Sequence, residues 1–247
     1  MNRLKRTFGD VAKTQQRTWK NLYLGLVYFL DKYQDTFNSK GRNDKNENLS
    51  LSFMLEIAKK NDWDVLYYFI NKKGFNDIEV IVEGAAQMGN IFMLNHFLKD
   101  DDLETAIFHA TKGGHRELTD DLIKRALLGE EESKEMYIGQ INGALFGAAA
   151  GGQEELVKYY ISKGANDWAL ALQGALRSGN ERLINFFIDR LNTVDAAIVI
   201  ATSGDIAHFK KIMKNASKRD IAKIREKLPY PYLKSEIHDY FLTLNKF

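Results

Sequence analysis

The chain of 247 residues contains no cysteine, which removes disulfides, thiolate metal sites and cysteine nucleophiles. It has two prolines, Pro229 and Pro231, so nearly its whole length is free of the residue that most strongly interrupts helices. It has little net charge, +2, and so no overall polyanion-binding signature. Long apolar runs are also missing: the longest, Leu22–Leu30, is interrupted by Gly25 and is too short to span a bilayer. The start, Met1-Asn2-Arg3-Leu4-Lys5-Arg6, has no apolar stretch after its charges, so a secretory signal is not expected. The reading is a soluble, intracellular chain.

The apolar fraction of 45% and the aromatic fraction of 12% support a packed core. Its organising phrase is Ala148–Asn166. Ala148 and Ala149 let one helix press close to its neighbour, and Gly151-Gly152 ends that helix. Glu154 and Glu155 open the next helix, where the dipole favours negative charge. Leu156, Tyr160 and Ile161 form its buried stripe, and Gly164 stops it.

With Gly152 as zero, the same pattern recurs: a small residue at −4 or −3, an apolar one at +4, and apolar ones at +8 and +9. The zeros are Asn61, Gly89, Gly114, Gly152, Gly179 and Gly204, in steps of 28, 25, 38, 27 and 25 residues. In the last unit His208 replaces the apolar residue at +4. Self-similarity at such a period marks stacked helical units. The expected architecture is all-α: about six short helix-turn-helix units over residues 51–214. An N-terminal capping helix with a mobile loop (1–50) precedes them, and C-terminal capping helices (215–247) follow.

The phrase Ala148–Asn166 resembles the helical half of an ankyrin repeat, and the likeness extends from Leu51 to Lys214. The Thr-Pro-Leu-His start of that family is absent, and most units are shorter than ~33 residues. Short, proline-poor, aromatic-rich units are similar in style to the ankyrin-like repeats of large eukaryotic DNA viruses. That resemblance implies a protein that binds and diverts a host factor in the host cytoplasm.

In chain order, Val11–Tyr33 reads as a helix with apolar residues at Trp19, Leu22, Tyr23, Leu26, Leu30 and Tyr33, and Thr36–Asn48 as a loop. Asp62 is the expected N-cap of the first unit's second helix. Trp63 in that helix and Trp168 at the opening of a later unit either fill grooves between units or stand out as binding anchors. Acidic residues gather around the third unit, and the long step of 38 places an inserted loop at Leu128–Glu135. Insertions often project from the binding face, which makes Glu130, Glu131 and Glu132 candidate contacts. Gly143, Gly147 and Gly151 share one helix face and are expected to serve tight helix packing. Pro229-Tyr230-Pro231 stops a helix, and Leu233–Leu244 reads as a final amphipathic one.

Chemistry-bearing patterns are missing. None of His96, His109, His115, His208 and His238 forms a His-Glu-x-x-His pair, and no phosphate loop or nucleophile elbow occurs. Asp120 and Asp121, adjacent on a helix, point about 100° apart, which argues against a paired acid/base site. No catalytic residue, cofactor or metal is expected. The leading reading is a non-enzymatic protein-interaction module; the alternative is a nucleic-acid-binding or virion-associated structural protein that uses its basic termini. No membrane insertion is expected.

Overall fold

A computed structural model describes residues 51, 54–128, 134–228 and 235–243. The expected helix at Val11–Tyr33, the loop at Thr36–Asn48 and the Pro229–Pro231 stop lie outside these residues. Among the described residues all regular structure is helical, with no strand. We number the helices α1 (54–59), α2 (Trp63–Lys73), α3 (Ile78–Gln87), α4 (Ile91–Phe97), α5 (Leu103–Lys112), α6 (Arg116–Ala126), α7 (Lys134–Ala150), α8 (Glu154–Ser162), α9 (Trp168–Ser178), α10 (Glu181–Ile188), α11 (Thr193–Ser203), α12 (Ile206–Asn215), α13 (Lys218–Lys227) and α14 (Ser235–Thr243). A short 3-10 turn, Asp100–Asp102, precedes α5. Helix α7 begins at Lys134, so Lys134 and Glu135, expected in the loop, are helical.

The helices pair in sequence order and the pairs pack in series. The first members α3, α5, α7, α9, α11 and α13 pack each on the next. Helix α13 therefore stacks on α11 just as the earlier first helices stack, and α14 packs on α12.

All six zeros of the repeat sit in the left-handed region, with φ between 56° at Asn61 and 89° at Gly114. The turn needs a residue tolerant of positive φ at that one place, which is why five of the six are glycine and the sixth asparagine. The −4 row (Ile57, Ala85, Ala110, Ala148, Ala175, Ile200) is buried throughout. So are two rows the sequence pattern did not single out. They are −7 (Met54, Val82, Ile107, Leu145, Leu172, Ala197) and +5 (Leu66, Leu94, Thr119, Val157, Ile184, Phe209). The one polar member, Thr119, comes with a partner: Thr111, also fully buried, lies 3.2 Å from it, and the two hydroxyls find His115 O at 2.8 Å and Ile107 O at 2.6 Å. Buried hydroxyls cost little only when bonded in this way.

Successive first helices approach backbone to backbone. A Cβ placed at Gly147 or Gly151 would collide with Phe108 O or Lys112 O of the preceding unit. At Gly84 and Gly174 it would stand 2.9 Å from Leu55 O and 2.6 Å from Phe146 O. Gly113 meets Gln87 O in the same way. These glycines occupy −5 or −1, and the carbonyls they face occupy −6 or −2. Gly143 does not share this role: nothing lies within 4 Å of a Cβ there, contrary to the expectation that Gly143, Gly147 and Gly151 act alike.

The residue after each zero reflects the same geometry. Where −1 is glycine, the +1 side chain reaches back to the freed carbonyl at the end of the preceding first helix: His115 Nε2 lies 3.0 Å from Gln87 O, and Gln153 Nε2 donates to Lys112 O at 3.3 Å. Where −1 is larger (Lys60, Met88, Ser178, Ser203), the +1 residue is Asp62, Asn90, Asn180 or Asp205, and it caps its own helix. Each device satisfies polar backbone groups that a helix end leaves open.

Gly147→Ala should destabilise the protein by about 1–3 kcal/mol through overpacking. Gly143→Ala, one turn away on the same helix, should stabilise it by about 0.5–1 kcal/mol. Urea unfolding of the two variants checks the contrast, and equal effects would contradict the backbone contact.

Candidate interaction surface

The second helices carry the solvent-facing rows, and in three of the six units +2 and +3 are both charged: Arg116-Glu117, Glu154-Glu155 and Glu181-Arg182. Helix α4 instead has the large apolar pair Ile91-Phe92 there. It is seven residues long and reads Ile-Phe-Met-Leu-Asn-His-Phe. Four consecutive apolar residues cannot all face inward on one helix. Met93 and Leu94 are fully buried, so Ile91 and Phe92 are turned out, at 56% and 75% exposure. Met88, just before the turn, is 54% exposed and Tyr67 on α2 is 39% exposed. Four of the five exposed large apolar side chains among the described residues thus belong to the first two units.

Trp63 is the centre of this group. Its ring stacks on Phe97 at 5.8 Å and 20°, and meets Phe92 edge-on at 5.4 Å and His96 at 5.5 Å. Tyr67 lies 5.7 Å from it, and Tyr67 Oη is 2.9 Å from His96 Nε2. The cluster is held by its two turns. Asp62 accepts from Val65 N, Asn90 accepts from Met93 N, and Asn90 Nδ2 donates to Asn61 Oδ1 at 2.8 Å. The result is a fixed aromatic platform, half covered from within and open outside.

Trp168 is placed differently. It is half-buried, it stacks on fully buried Phe187 at 6.4 Å, and the Arg190 guanidinium lies 5.7 Å from its ring. No contact joins it to Trp63. Glu130, Glu131 and Glu132 lie outside the described residues. Sequence reasoning thus reached Trp63 but missed Phe92, Ile91 and Met88. The signal was present in the register: Ile91 and Phe92 stand where three later units place charge, and Met88 where every other unit has lysine, glycine or serine.

Other polar groups are arranged for packing. Asp120 and Asp121 diverge, as adjacent helical residues should: Asp121 pairs with Lys124, while Asp120 accepts from Tyr159 Oη at 2.6 Å and Tyr160 Oη at 3.2 Å. Burial first, then the Asp120 charge, pushes the Tyr160 phenol up. His208, at the aberrant +4, lies 2.8 Å from Asp205 Oδ2 and 3.2 Å from Glu181 Oε2 of the preceding unit. Burial works to raise the Asp205 carboxyl, but hydrogen bonds from the His208 backbone and ring hold it below its usual value. Among the described residues no group of three or more His, Asp or Glu side chains is placed to hold a metal ion. No described helix is long and apolar enough to cross a membrane.

His109 takes the −5 position that glycine holds in the units on both sides, Gly84 and Gly147. It is 9% exposed, its Nε2 lies 3.5 Å from Glu83 Oε1, and its buried Nδ1 has no partner. Burial first, with Lys112 and Lys59 adding like charge, lowers its pKa to about 4. Burial likewise raises the Glu83 carboxyl, against the pull of Lys112 and Lys59. Both groups are thus biased toward neutrality, a packing arrangement between α3 and α5.

No family model, curated protein or solved structure matches the chain.

The His109 shift has a defined sign. Above pH 6.5 the ring is neutral in both folded and unfolded chains. As pH falls from 6.5 toward about 4 the unfolded chain takes up a proton that the folded one refuses, and stability drops. The loss should be of the order of 2–3 kcal/mol. Glu83, with its raised value, contributes the opposite slope above 4.5. Urea midpoints between pH 4 and 7 should fall less steeply for His109→Gln than for the wild type, and more steeply for Glu83→Gln. Identical slopes in all three would refute this account.

Proposed function

We propose that this chain is a non-enzymatic protein-interaction stack of ankyrin-like helix pairs, and that the aromatic platform around Trp63 is its contact surface. The observation that carries this reading is Phe92, 75% exposed beside Ile91 and Met88, where three later units place charge at +2 and +3 and every other unit places lysine, glycine or serine at −1. Isolated exposed apolar residues mean little, but a contiguous cluster with a fixed tryptophan and tyrosine has the composition of a binding hot spot. The cluster is rigid before binding, because its rings stack on one another and its turns are capped, so less ordering is required on association. The ankyrin-like reading is supported by the positive-φ zero, the buried alanine at −4 or −3 and the serial packing of first helices. The viral, host-directed role rests on the stylistic resemblance alone.

The test is affinity capture with the full tagged chain from eukaryotic lysate after nuclease treatment. Phe92→Ser and Ile91→Ser should fold as the wild type does, since both residues are largely exposed, with stability changed by only about 0.5 kcal/mol. A protein retained by the wild type and by Leu128→Ala, an exposed apolar control, should be lost or weakened at least tenfold in the Phe92→Ser, Ile91→Ser double variant. Equal retention by the double variant would remove the platform from the interface.

A further inference from the structure

The last two described pairs carry a surface of another kind. Helices α12 and α13 meet at Ala216-Ser217, where Ser217 caps α13 by accepting from Asp220 N at 3.1 Å. Their apolar residues are used up in packing: Phe209, Met213 and Ile224 are buried, and none of the large exposed apolar side chains lies on either helix. What remains outside is cationic. Lys210, Lys211 and Lys214 on α12, and Lys218, Arg219, Lys223, Arg225 and Lys227 on α13, are all exposed. Only Asp220 and Glu226 oppose them on these helices, and Asp220 is engaged by Ser217 at 2.6 Å.

Elsewhere in the stack several cations have carboxylate partners: Lys59 with Glu56, Lys124 with Asp121, Arg125 with Asp100 and Lys158 with Glu155. On α12 and α13 the lysines and Arg219 have none among the described residues. Lys211 reaches only the neutral amide of Asn185, and Lys210 lies over the Tyr240 ring. Eight like charges on two short helices against two carboxylates repel one another, and a bound anion relieves that repulsion. The nearly neutral net charge of the chain conceals this surface, because the acidic third unit offsets it.

We propose that the α12–α13 surface binds the phosphodiester backbone of a nucleic-acid duplex. Arg219, Lys223 and Lys227 recur every fourth residue, so they form one row on α13 with steps of about 6 Å. Lys210 and Lys214 repeat the same step on α12. A row of cations at that step matches successive phosphates along a strand. The chemistry separates this occupant from two others. A lipid surface is engaged by a helix that offers apolar residues for insertion beside its cations, and here those residues face the core. Single strands are gripped by exposed aromatic rings on which bases stack, and helices α12 and α13 carry none. Contacts to phosphate alone give binding that is duplex-directed, indifferent to sequence and strongly weakened by salt. The site is separate from the aromatic platform and does not depend on it.

The experiment is fluorescence anisotropy of the full chain with a mixed-sequence duplex across a salt series. The logarithm of the association constant should fall against the logarithm of salt with a slope of about −4 or steeper. Replacing Arg219, Lys223 and Lys227 together by Gln should reduce that slope by about three, with an unchanged thermal melt, since all three side chains are exposed. The Phe92→Ser, Ile91→Ser variant should bind the duplex as the wild type does. A full slope retained by the triple variant would overturn the proposal and move the binding to the basic stretch Arg3–Lys20. Tighter binding to a single strand, or equal and equally Arg219-row-dependent binding to anionic vesicles or to polyglutamate, would also overturn it, by showing a surface that does not select a duplex.

Discussion

The stack depends on the backbone-to-backbone approach of successive first helices. Gly84, Gly147 and Gly174, with Gly113 and Gly151, leave no room for a Cβ because carbonyls of the preceding unit occupy that space. Once the helices stand so close, the rest follows. The −4 row must be small or must fit between two backbones. The freed carbonyls of Gln87 and Lys112 come within reach of the next unit's His115 and Gln153. The second helices are pushed to the outside, where they bury one stripe and leave the other to solvent. The junction between α9 and α11 lacks glycine at both places. There Val199 and Ser203 stand in the series, and His208 bridges back to Glu181 instead.

A fold built on one repeated contact leaves its individuality to the rows that the contact does not use. Each unit can change +2 and +3 freely, because those side chains meet solvent. Unit two uses that freedom for Ile91 and Phe92, and the final helices carry lysine and arginine at other exposed positions. Functional surfaces in such an architecture are best sought as departures from the register at exposed positions. Departures at buried positions are of another type and come with compensation. Thr111 and Thr119 bond within their unit, and His109 faces Glu83. The unpartnered Nδ1 of His109 is the exception, and it coincides with the largest lowering of a pKa in the described chain.

The two surfaces argued for binding differ in physical character. The platform at the first two units offers apolar area on a preorganised base, so its contribution to affinity is little affected by salt. The surface at α12–α13 offers charge without apolar area, so its contribution is long-ranged and screened by salt. A chain carrying both can be held by one contact while the other is made, each raising the local concentration for the other.

Residue pattern alone determined the helical class, the register and the place of every turn among the six units. This is because positive φ at Asn61 and the five glycines, the N-cap preference at Asp62 and the periodicity of buried residues are all properties of a few neighbouring residues. The tertiary structure decided what depends on pairs of units some 25–40 residues apart. It separated Gly147, pressed on Phe108 O, from Gly143, which meets nothing, though the two are indistinguishable in sequence. It set Trp63 on an open platform and placed Arg190 beside Trp168. It turned Met93 inward and Phe92 outward from one apolar run, and it carried the stacking on through α13 and α14. Local pattern says which residues can be buried; only the neighbouring unit, arriving at a given distance and angle, decides which of them are.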